Sequence, residues 1–240
     1  MSNAEYLGSS VSSASGPGEN LLGDFPDFEF ERRFFCQEMP RLDDDGFPPH
    51  LIIQSYFLAE DGYAIRVRLQ ASEVKIKMTE RLKSKEAIEE VLDNFSKMWD
   101  MAFITVKGPT IGGTRYEVEN SIDVLVAAEM IRRSKAEQII VKNRHSYWAG
   151  KDGWVIDEFA GKNYGLVIAE CERLSPVTDL EIPEFCTKEV TDDTRFSNDK
   201  LVKNPYMKWA KDYKIELNQI LKDSPEKIFS NQFGQNAFRR

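Results

Sequence analysis

The sequence predicts an α+β protein built mainly from short antiparallel strands, and three observations lead to this class. Apolar and charged residues alternate in eight segments, which is the period-two pattern of strands with one buried face. Turn-forming residues separate several segments, and we expect residues 150–153 to join two strands in a hairpin. Three helical segments interrupt the strands, and many short antiparallel strands favour a sandwich or a barrel. The predicted strands are residues 28–35, 64–69, 74–78, 103–107, 114–118, 139–144, 154–159 and 166–172.

The three predicted helices are justified by apolar spacing and by their end residues. Residues 84–101 repeat apolar side chains at three- and four-residue intervals, with Ser84 as N-cap. Residues 121–133 begin with Ser121 as N-cap and end on Arg132 and Arg133, which complement the helix dipole. The third helix runs from residue 205 to about residue 221, with Pro205 at its first position.

Composition excludes several classes of function and location. The 240 residues include 40 acidic and 32 basic side chains, giving a net charge of −8, so bulk binding of nucleic acid or anionic lipid is not expected. No apolar run approaches the ~18 residues of a membrane span. The three cysteines, in no CxxC pair, fit the reducing cytoplasm and argue against a disulfide framework or a zinc site. We therefore expect a cytoplasmic protein whose oligomeric state, monomer or homodimer, stays open.

The chain divides into three predicted regions. Residues 1–26 are rich in Ser and Gly, without a basic start and an apolar core, so we expect a flexible segment and no secretory signal. Residues 27–200 hold all the predicted strands and form the main domain. Residues 201–240 carry the third helix, which we expect to pack on this domain, and a tail without a clear pattern.

The polar positions of the predicted strands are almost purely charged. A solvated sheet face explains such alternation for any single strand, but it would also use Thr, Ser, Gln and Tyr. If the sheet closes, this face becomes the inside of a barrel, because the apolar face must pack on the helices. The inward bases would be Arg33, Arg66, Arg68, Lys107, Arg115, Lys142 and Arg144, with Lys75 and Lys77 as further candidates, and the acids would be Glu29, Glu31, Glu117, Glu119, Asp157, Glu170 and Glu172.

A confined space holds such charges only when they have partners. A polyphosphate with a divalent metal satisfies both signs, because Arg and Lys neutralise phosphate oxygens while carboxylates hold Mg²⁺ or Mn²⁺. The pattern therefore predicts a small polyphosphate as ligand, with Mg²⁺ or Mn²⁺ as cofactor.

The order of the motifs resembles the CYTH superfamily, also called triphosphate tunnel metalloenzymes. Residues 29–34, EFERRF, resemble the ExExK motif of that family. The similarity continues in order through residues 64–69, 104–109, 115–119, 141–144, 154–159 and 165–172, and ends with EVTDD at 189–193 and RFSN at 195–198. The resemblance covers about residues 28–200.

This resemblance implies a closed eight-stranded antiparallel β-barrel, a tunnel that binds a triphosphate lengthwise with a divalent metal. It implies catalysis by Glu29, Glu31, Arg33 and Lys142. The implied phosphate-binding residues are Arg33, Arg66, Arg68, Lys107, Arg115, Lys142 and Arg144. The implied metal ligands are Glu29, Glu31, Glu117, Glu119, Asp157, Glu170 and Glu172.

One departure from the family pattern bears on mechanism. Arg33 stands where ExExK has Lys, and Arg keeps the charge but cannot release a proton near neutral pH. The leading hypothesis is metal-dependent hydrolysis of a terminal phosphoanhydride, with inorganic triphosphate as first choice of substrate. Cyclisation of ATP, hydrolysis of thiamine or nucleoside triphosphates, and non-catalytic polyphosphate or nucleotide binding stay open as alternatives.

Overall fold

The computed structural model describes residues 30–42, 47–111, 114–173, 180–225, 228–229 and 237–239. The predicted flexible segment 1–26 and Glu29 lie outside the described residues. The strands are β1 Phe30–Cys36, β2 His50–Glu60, β3 Tyr63–Ser72, β4 Met101–Ile111, β5 Thr114–Ser121, β6 Ile139–Ala149, β7 Asp152–Phe159, β8 Val167–Arg173, β9 Glu181–Pro183, β10 Lys188–Glu189 and β11 Ala237–Arg239. The helices are α1 Lys85–Asn94, α2 Val124–Arg133, α3 Asn198–Lys203 and α4 Ala210–Asp223.

Nine strands form one antiparallel sheet in the order β10-β1-β8-β7-β6-β2-β3-β4-β5. The predicted hairpin is confirmed, because Ala149 pairs with Asp152 across a two-residue turn between β6 and β7. The β2–β3 hairpin turns on Asp61 and Gly62, both with positive φ, as a two-residue turn of this kind requires. The short strands β9 and β11 form a separate parallel pair.

The expectation of a closed eight-stranded barrel is wrong for the residues described, where β5 and β10 are the two edges of an open sheet. The segment around β10 gives the physical reason. It pairs with Phe34 and Phe35, and Val190 donates its N–H to the carbonyl of Arg33, so this segment occupies the edge of β1 that a closing strand would need. Cavity-lining residues nevertheless come from both β1 and β5, so the sheet curls around one polar cavity.

The outer face of the curled sheet packs on the helices, as the alternation predicted. Leu51, Val67 and Leu69 meet α1 and α2 in one core cluster. A second cluster joins Trp154 and Cys171 to the segment around β9. The apolar face is therefore covered, and the charged face is left to line the interior.

A third cluster fills one end of the interior. Phe35, Tyr56 and Phe159 from the sheet pack there against Phe196 and Tyr213 from the chain after β10. Phe196 and Tyr213 make edge-on ring contacts with centroids 4.9 Å apart. This group of five residues is called the closed end below, and it explains why α4, predicted as packing, is buried along one side.

Several predicted elements differ from those observed. Residues 74–78 are not a strand, although Val74 and Met78 are buried. The backbone N–H and carbonyl of Ile76 bond the side chain of Asn143 and not the backbone of a neighbouring strand. The strand β2 was not predicted, since six successive residues, 51–56, are buried and no alternation marks them. Because β2 and the short strands β9, β10 and β11 are present, the described residues hold more strands than the eight expected.

The helix ends also shift. Ser84 caps α1 as predicted, accepting the N–H of Ala87, but α1 ends at Asn94. The cap of α2 is Asp123 and not Ser121, which belongs to β5. After Pro205 the chain makes a short 3-10 turn, and the third predicted helix begins only at Ala210. Among the residues described, no helix combines the length and apolar character needed to cross a bilayer.

Candidate active site

The interior of the curled sheet is a polar cavity of about 470 Å³ beside the closed end. Cross-strand pairing places its charged residues on one face, since Arg33 lies opposite Glu170 and Arg66 lies opposite Thr105, which in turn lies opposite Glu119. The described lining contains five bases and six acids: Arg33, Arg66, Arg68, Lys107 and Arg144 with Glu31, Glu117, Glu119, Glu170, Glu172 and Asp199. This lining is almost neutral as a whole, and four of its five bases, Arg33, Arg66, Lys107 and Arg144, pair with a carboxylate.

The wall formed by β1 and β8 is held by Arg33. Its guanidinium binds Glu170 at 2.8 Å and also contacts Glu31. Burial lowers the pKa of Arg33, but the charges of Glu31 and Glu170 outweigh burial and raise it above the ordinary value. Arg33 is therefore a permanent cation, so it can hold an anion but cannot transfer a proton.

The wall formed by β6 and β7 is organised around Asp157. Arg144 makes two bonds of 2.8 Å to this carboxylate and lies 3.6 Å from Glu170, while Lys142 also binds Asp157, at the Oδ2 atom that Arg144 shares. Burial opposes ionisation of Asp157, yet Arg144 and Lys142 together lower its pKa. Asp157 is 1% exposed and does not line the cavity, so its charge serves to orient the two bases.

Lys142 shares its face of β6 with Arg144 but does not line the cavity. It is 1% exposed, and burial followed by the charge of Arg144 lowers its pKa to about 7 despite the contact with Asp157. Because Arg144 already binds both oxygens of Asp157, that carboxylate compensates Lys142 only partly. Lys142 is therefore a base whose charge changes near neutral pH.

The opposite wall, formed by β3, β4 and β5, carries two further pairs. Arg66 bonds Glu119 at 3.0 Å and Thr105 at 2.9 Å, and the Thr105 hydroxyl donates to the same carboxylate at 2.6 Å. Burial would raise the pKa of Glu119, but the Thr105 bond and the two arginines lower it. Lys107 pairs with Glu117.

Arg68 differs from its neighbours. Within the described ranges no carboxylate lies within 4 Å of its guanidinium, and its buried Nε has no hydrogen-bond partner. Burial, then the charges of Arg66 and Arg144, lower its pKa to about 10. A cation held beside other cations without a bonded anion is a ready binding position for an added anion.

The acids at β1 and β8 form a donor set suited to a hard cation. Glu31 lies directly opposite Glu172 in the strand pairing, so two carboxylates are side by side there, and Glu31 is also bound by Arg33. Carboxylate oxygens are the ligands that Mg²⁺ prefers. No group of three or more Asp, Glu, His or Cys side chains is gathered in a metal-binding arrangement among the residues described.

The structure brings most of the predicted site residues together. Four predicted residues are not among the lining residues. Glu29 and the side chain of Arg115 lie outside the described residues, and Lys142 and Asp157 are buried without lining the cavity. The additional candidates Lys75 and Lys77 are exposed in the loop after β3 and do not line the cavity. Metal binding by the predicted carboxylates stays a prediction.

Five lining residues were not predicted as site residues: Ala64 of β3 and four with polar side chains. Tyr56 enters from β2, where a buried run hid the strand, and burial raises the pKa of its hydroxyl. Ser197, Asn198 and Asp199 enter from the start of α3, and the Asn198 side chain accepts a bond of 3.2 Å from Gln54. Only the RFSN motif that includes Ser197 and Asn198 pointed to this segment in the sequence.

In the described part of the chain, the cavity is lined by bases and carboxylates, and Arg68 among them has no bonded carboxylate, an arrangement suited to a compact polyanion. No protein-family model matches the chain. An inorganic triphosphatase from Acetivibrio thermocellus is 39% identical over 107 residues, which are 45% of this chain and 69% of that protein. The chain belongs to the family of that relative, the CYTH superfamily of triphosphate tunnel metalloenzymes, as the motifs indicated.

Two of the solved structures that match the chain have related descriptions. The crystal structure of an inorganic triphosphatase is 24% identical, and the match covers 72% of this chain and 93% of that chain with a TM-score of 0.46. A protein from Hippeastrum, described as an adenylyl cyclase with a dominant triphosphatase activity, is 13% identical. That match covers 62% of this chain and 80% of the other, with a TM-score of 0.33.

Proposed function

We propose that the protein hydrolyses the terminal phosphoanhydride of a triphosphate, with inorganic triphosphate as the main substrate and with a divalent metal, Mg²⁺ or Mn²⁺. The observation that supports this most strongly is the cavity itself, which presents Arg68 without a bonded carboxylate among other bases. The Acetivibrio relative carries the name of this activity.

Charge balance supports the metal. The described lining holds five bases against six acids, so it offers no net positive charge to a strongly anionic triphosphate. A divalent cation over part of the carboxylates would leave the bases in excess. Mg²⁺ characteristically uses one or two protein carboxylates together with substrate phosphates and water, and Glu31 and Glu172 would supply the two carboxylates. When bound, the metal would neutralise charge on the phosphate oxygens.

The bases would position the phosphate chain. Arg33 and Arg144 present guanidinium groups from one wall, and Arg66 and Arg68 do so from the other, so a chain lying between them is held from both sides. Phosphoryl transfer needs positioning and charge stabilisation more than covalent help. In the step itself, a water oxygen bonds to the terminal phosphorus, the bridging P–O bond breaks, and the bridging oxygen leaves with the diphosphate.

The proton released by the attacking water needs an acceptor. We assign this task to Lys142, whose pKa of about 7 leaves part of its amine neutral at physiological pH; because Lys142 is buried and does not line the cavity, the proton would reach it through an intervening water. Arg33 remains charged and holds phosphate, so the replacement of the family Lys by Arg at this position does not remove the proposed acceptor.

The proposed function is tested by a phosphate-release screen. Inorganic triphosphate, thiamine triphosphate, ATP and diphosphate are each incubated with Mg²⁺, Mn²⁺ or EDTA, with a cyclic AMP assay alongside. We expect the highest turnover with inorganic triphosphate plus metal, and none with EDTA.

Glu172→Gln is the informative variant in this screen. Removing one charge of the opposed Glu31–Glu172 pair should greatly reduce the metal-dependent rate and raise the metal concentration needed for half-maximal rate. Glu129→Gln, at an exposed ion pair on α2, is the matched control and should behave as wild type. Tight triphosphate binding without turnover of any substrate would replace the enzyme proposal with a binding module.

A further inference from the structure

Gln54 is a buried polar residue in contact with the lining of the cavity. Its side chain on β2 is fully buried, and the residue does not itself line the cavity. Its amide nitrogen donates to Oδ1 of Asn198 at 3.2 Å and to the hydroxyl of Tyr56 at 3.3 Å. Both partners line the cavity, so Gln54 connects two elements of the site, β2 and the start of α3.

Cross-strand pairing places Gln54 beside Arg68. The two residues are directly paired between β2 and β3, so their side chains share a face of the sheet, with Cβ atoms roughly 5 Å apart. Tyr56 is directly paired with Arg66 in the same way. Gln54 is therefore next to Arg68 across the strands and is linked through Tyr56 to the position of Arg66.

Gln54 and Arg68 each carry a buried polar atom without a partner. The Oε1 atom of Gln54 is an acceptor and the Nε atom of Arg68 is a donor, and neither makes a hydrogen bond among the described residues. Leaving buried polar groups unsatisfied is unfavourable, and these two atoms are complementary. A bond between them would satisfy both and leave the terminal nitrogens of Arg68 for a ligand.

The same amide also holds the polar end of α3. The N-cap residue Ser197 makes no side-chain bond to the helix, because its hydroxyl donates to the carbonyl of Thr194 at 2.9 Å. Leu201, one turn further on, is buried in the apolar cluster at the closed end. The bond from Gln54 to Asn198 therefore supplies a polar link between α3 and the sheet at the cavity.

We propose that Gln54 is a positioning residue of the phosphate site, which accepts the Nε–H of Arg68 when a phosphate chain is bound. This bond fixes the plane of the guanidinium, so that its two terminal nitrogens face the phosphate oxygens. The amide nitrogen of Gln54 stays bonded to Asn198, so the position of Arg68 is tied to the start of α3. The inference rests on the proposed function, because it takes a triphosphate as the ligand of Arg68.

A double-mutant cycle tests the assignment. Gln54→Met keeps an unbranched side chain of similar length and removes the amide, so KM for inorganic triphosphate should rise about two- to tenfold, the value of one hydrogen bond. In the Arg68→Ala background the same substitution should leave KM unchanged, because the group that Gln54 positions is absent. In the wild-type background kcat should change less than KM, as expected when binding is weakened.

Gln70→Met is the matched control. Gln70 lies on the neighbouring strand β3 and does not line the cavity, so the same substitution there should leave KM as in the wild type. A rise in KM for Gln54→Met that persists in full in the Arg68→Ala background would overturn the proposal, because Gln54 would then act through Asn198, Tyr56 or general packing. No rise in KM in the wild-type background would overturn it as well.

Loss of folding and lack of turnover are distinguished from failure of the positioning role. If thermal unfolding shows that Gln54→Met does not fold, Gln54→Asn takes its place in the cycle, because it keeps a buried amide and withdraws the carbonyl oxygen by one methylene. If triphosphate is not hydrolysed, the proposed function fails, and dissociation constants of inorganic triphosphate with Mg²⁺, measured by calorimetry, replace KM in the same cycle. Equal factors in the two backgrounds, or no binding of triphosphate, would then contradict the positioning role.

Discussion

Arg68 and Lys142 are the two bases of the site whose surroundings differ most from those of an ordinary ion pair. Arg68 lines the cavity and has no carboxylate within 4 Å among the described residues. Lys142 has such a partner but is buried and does not line the cavity. The first is suited to holding an anion, and the second to exchanging a proton.

Replacing Arg68 is the cleanest test of phosphate binding. Arg68→Ala removes no ion pair of the described structure, because no carboxylate there is bonded to Arg68. Arg66→Ala, by contrast, would remove the hydrogen bonds that Arg66 donates to Glu119 and Thr105. A hydrogen bond to a charged group contributes about 1.5–3 kcal/mol, so KM for inorganic triphosphate should rise about ten- to hundredfold with little change in the melting temperature. Steady-state kinetics and thermal unfolding measure the two quantities.

Arg133→Ala, on the exposed surface of α2, is the control for Arg68→Ala. It removes one positive charge without touching the cavity. If both variants changed KM equally, the general charge of the protein and not the position of Arg68 would explain the effect.

Lys142 links the rate to pH. A base must be unprotonated to accept a proton, so with a pKa of about 7 we expect kcat/KM to rise about tenfold per pH unit below pH 7 and to level off above it. Lys142→Met keeps an unbranched chain of similar length and leaves Asp157 bound to Arg144, so the fold should survive. The variant should lose about 10²- to 10⁴-fold in rate together with the pH-dependent limb. A pH limb that persists in Lys142→Met would assign the ionisation to another group.

At the scale of elements, the edge of β1 is closed by a distant segment. Arg32, the exception to the alternation of β1, is 2% exposed and forms two bonds, of 2.9 and 2.7 Å, with Glu189 of β10. The Thr191 hydroxyl donates to the same carboxylate at 2.8 Å. This contact holds the segment around β10 against β1 and keeps the sheet open on that side.

The stability of that contact can be measured. Glu189→Ala leaves the Arg32 charge buried without this carboxylate, and breaking a buried pair from one side costs about 3–5 kcal/mol in unfolding free energy. Denaturant unfolding of Glu189→Ala, with Glu216→Ala of the exposed Arg195 pair as control, measures this difference. The control should lose no more than about 1 kcal/mol. Equal losses in the two variants would show that the segment around β10 contributes little to holding the sheet.

The comparison of sequence and structure is clearest for individual strands. Alternation located seven of the eight long strands and placed Arg33, Arg66 and Glu170 on the interior face, because each of these strands buries one face against an apolar core. It failed for β2, where both faces are buried, and for residues 74–78, where alternating burial occurs without a strand partner. The alternation of apolar and charged residues in the sequence indicates which side chains are buried. It indicates only indirectly which segments pair as strands.

The site was predicted less completely than the fold. The charged types at alternating positions were enough to indicate a polyanion site with Arg68 and Arg144 in it. They could not show which charges pair with one another, and so the separation of Lys142 and Asp157 from the cavity lining was not predicted. Asp199 and Tyr56 were missed because they reach the cavity from a helix start and from a strand without alternation.

For the whole molecule, the net charge of −8 conceals a charged interior of both signs. If the short strand β10 is set aside, β1 and β5 are the two ends of the strand order, and the curled sheet brings both to the same cavity. The closed end, with Phe35 and Tyr213, fills one side of that interior with aromatic side chains. This arrangement is what allows a chain with excess carboxylates to present a phosphate site.

The most direct test of the triphosphatase proposal follows the phosphorus atoms by ³¹P NMR. Inorganic triphosphate and Mg²⁺ are added to the wild-type protein, and an identical sample contains EDTA in excess of the metal. The expected result is one phosphate and one diphosphate for each triphosphate consumed, with no reaction in EDTA. Triphosphate that remains intact with Mg²⁺, or is consumed at the same rate in EDTA, would contradict metal-dependent hydrolysis at this cavity.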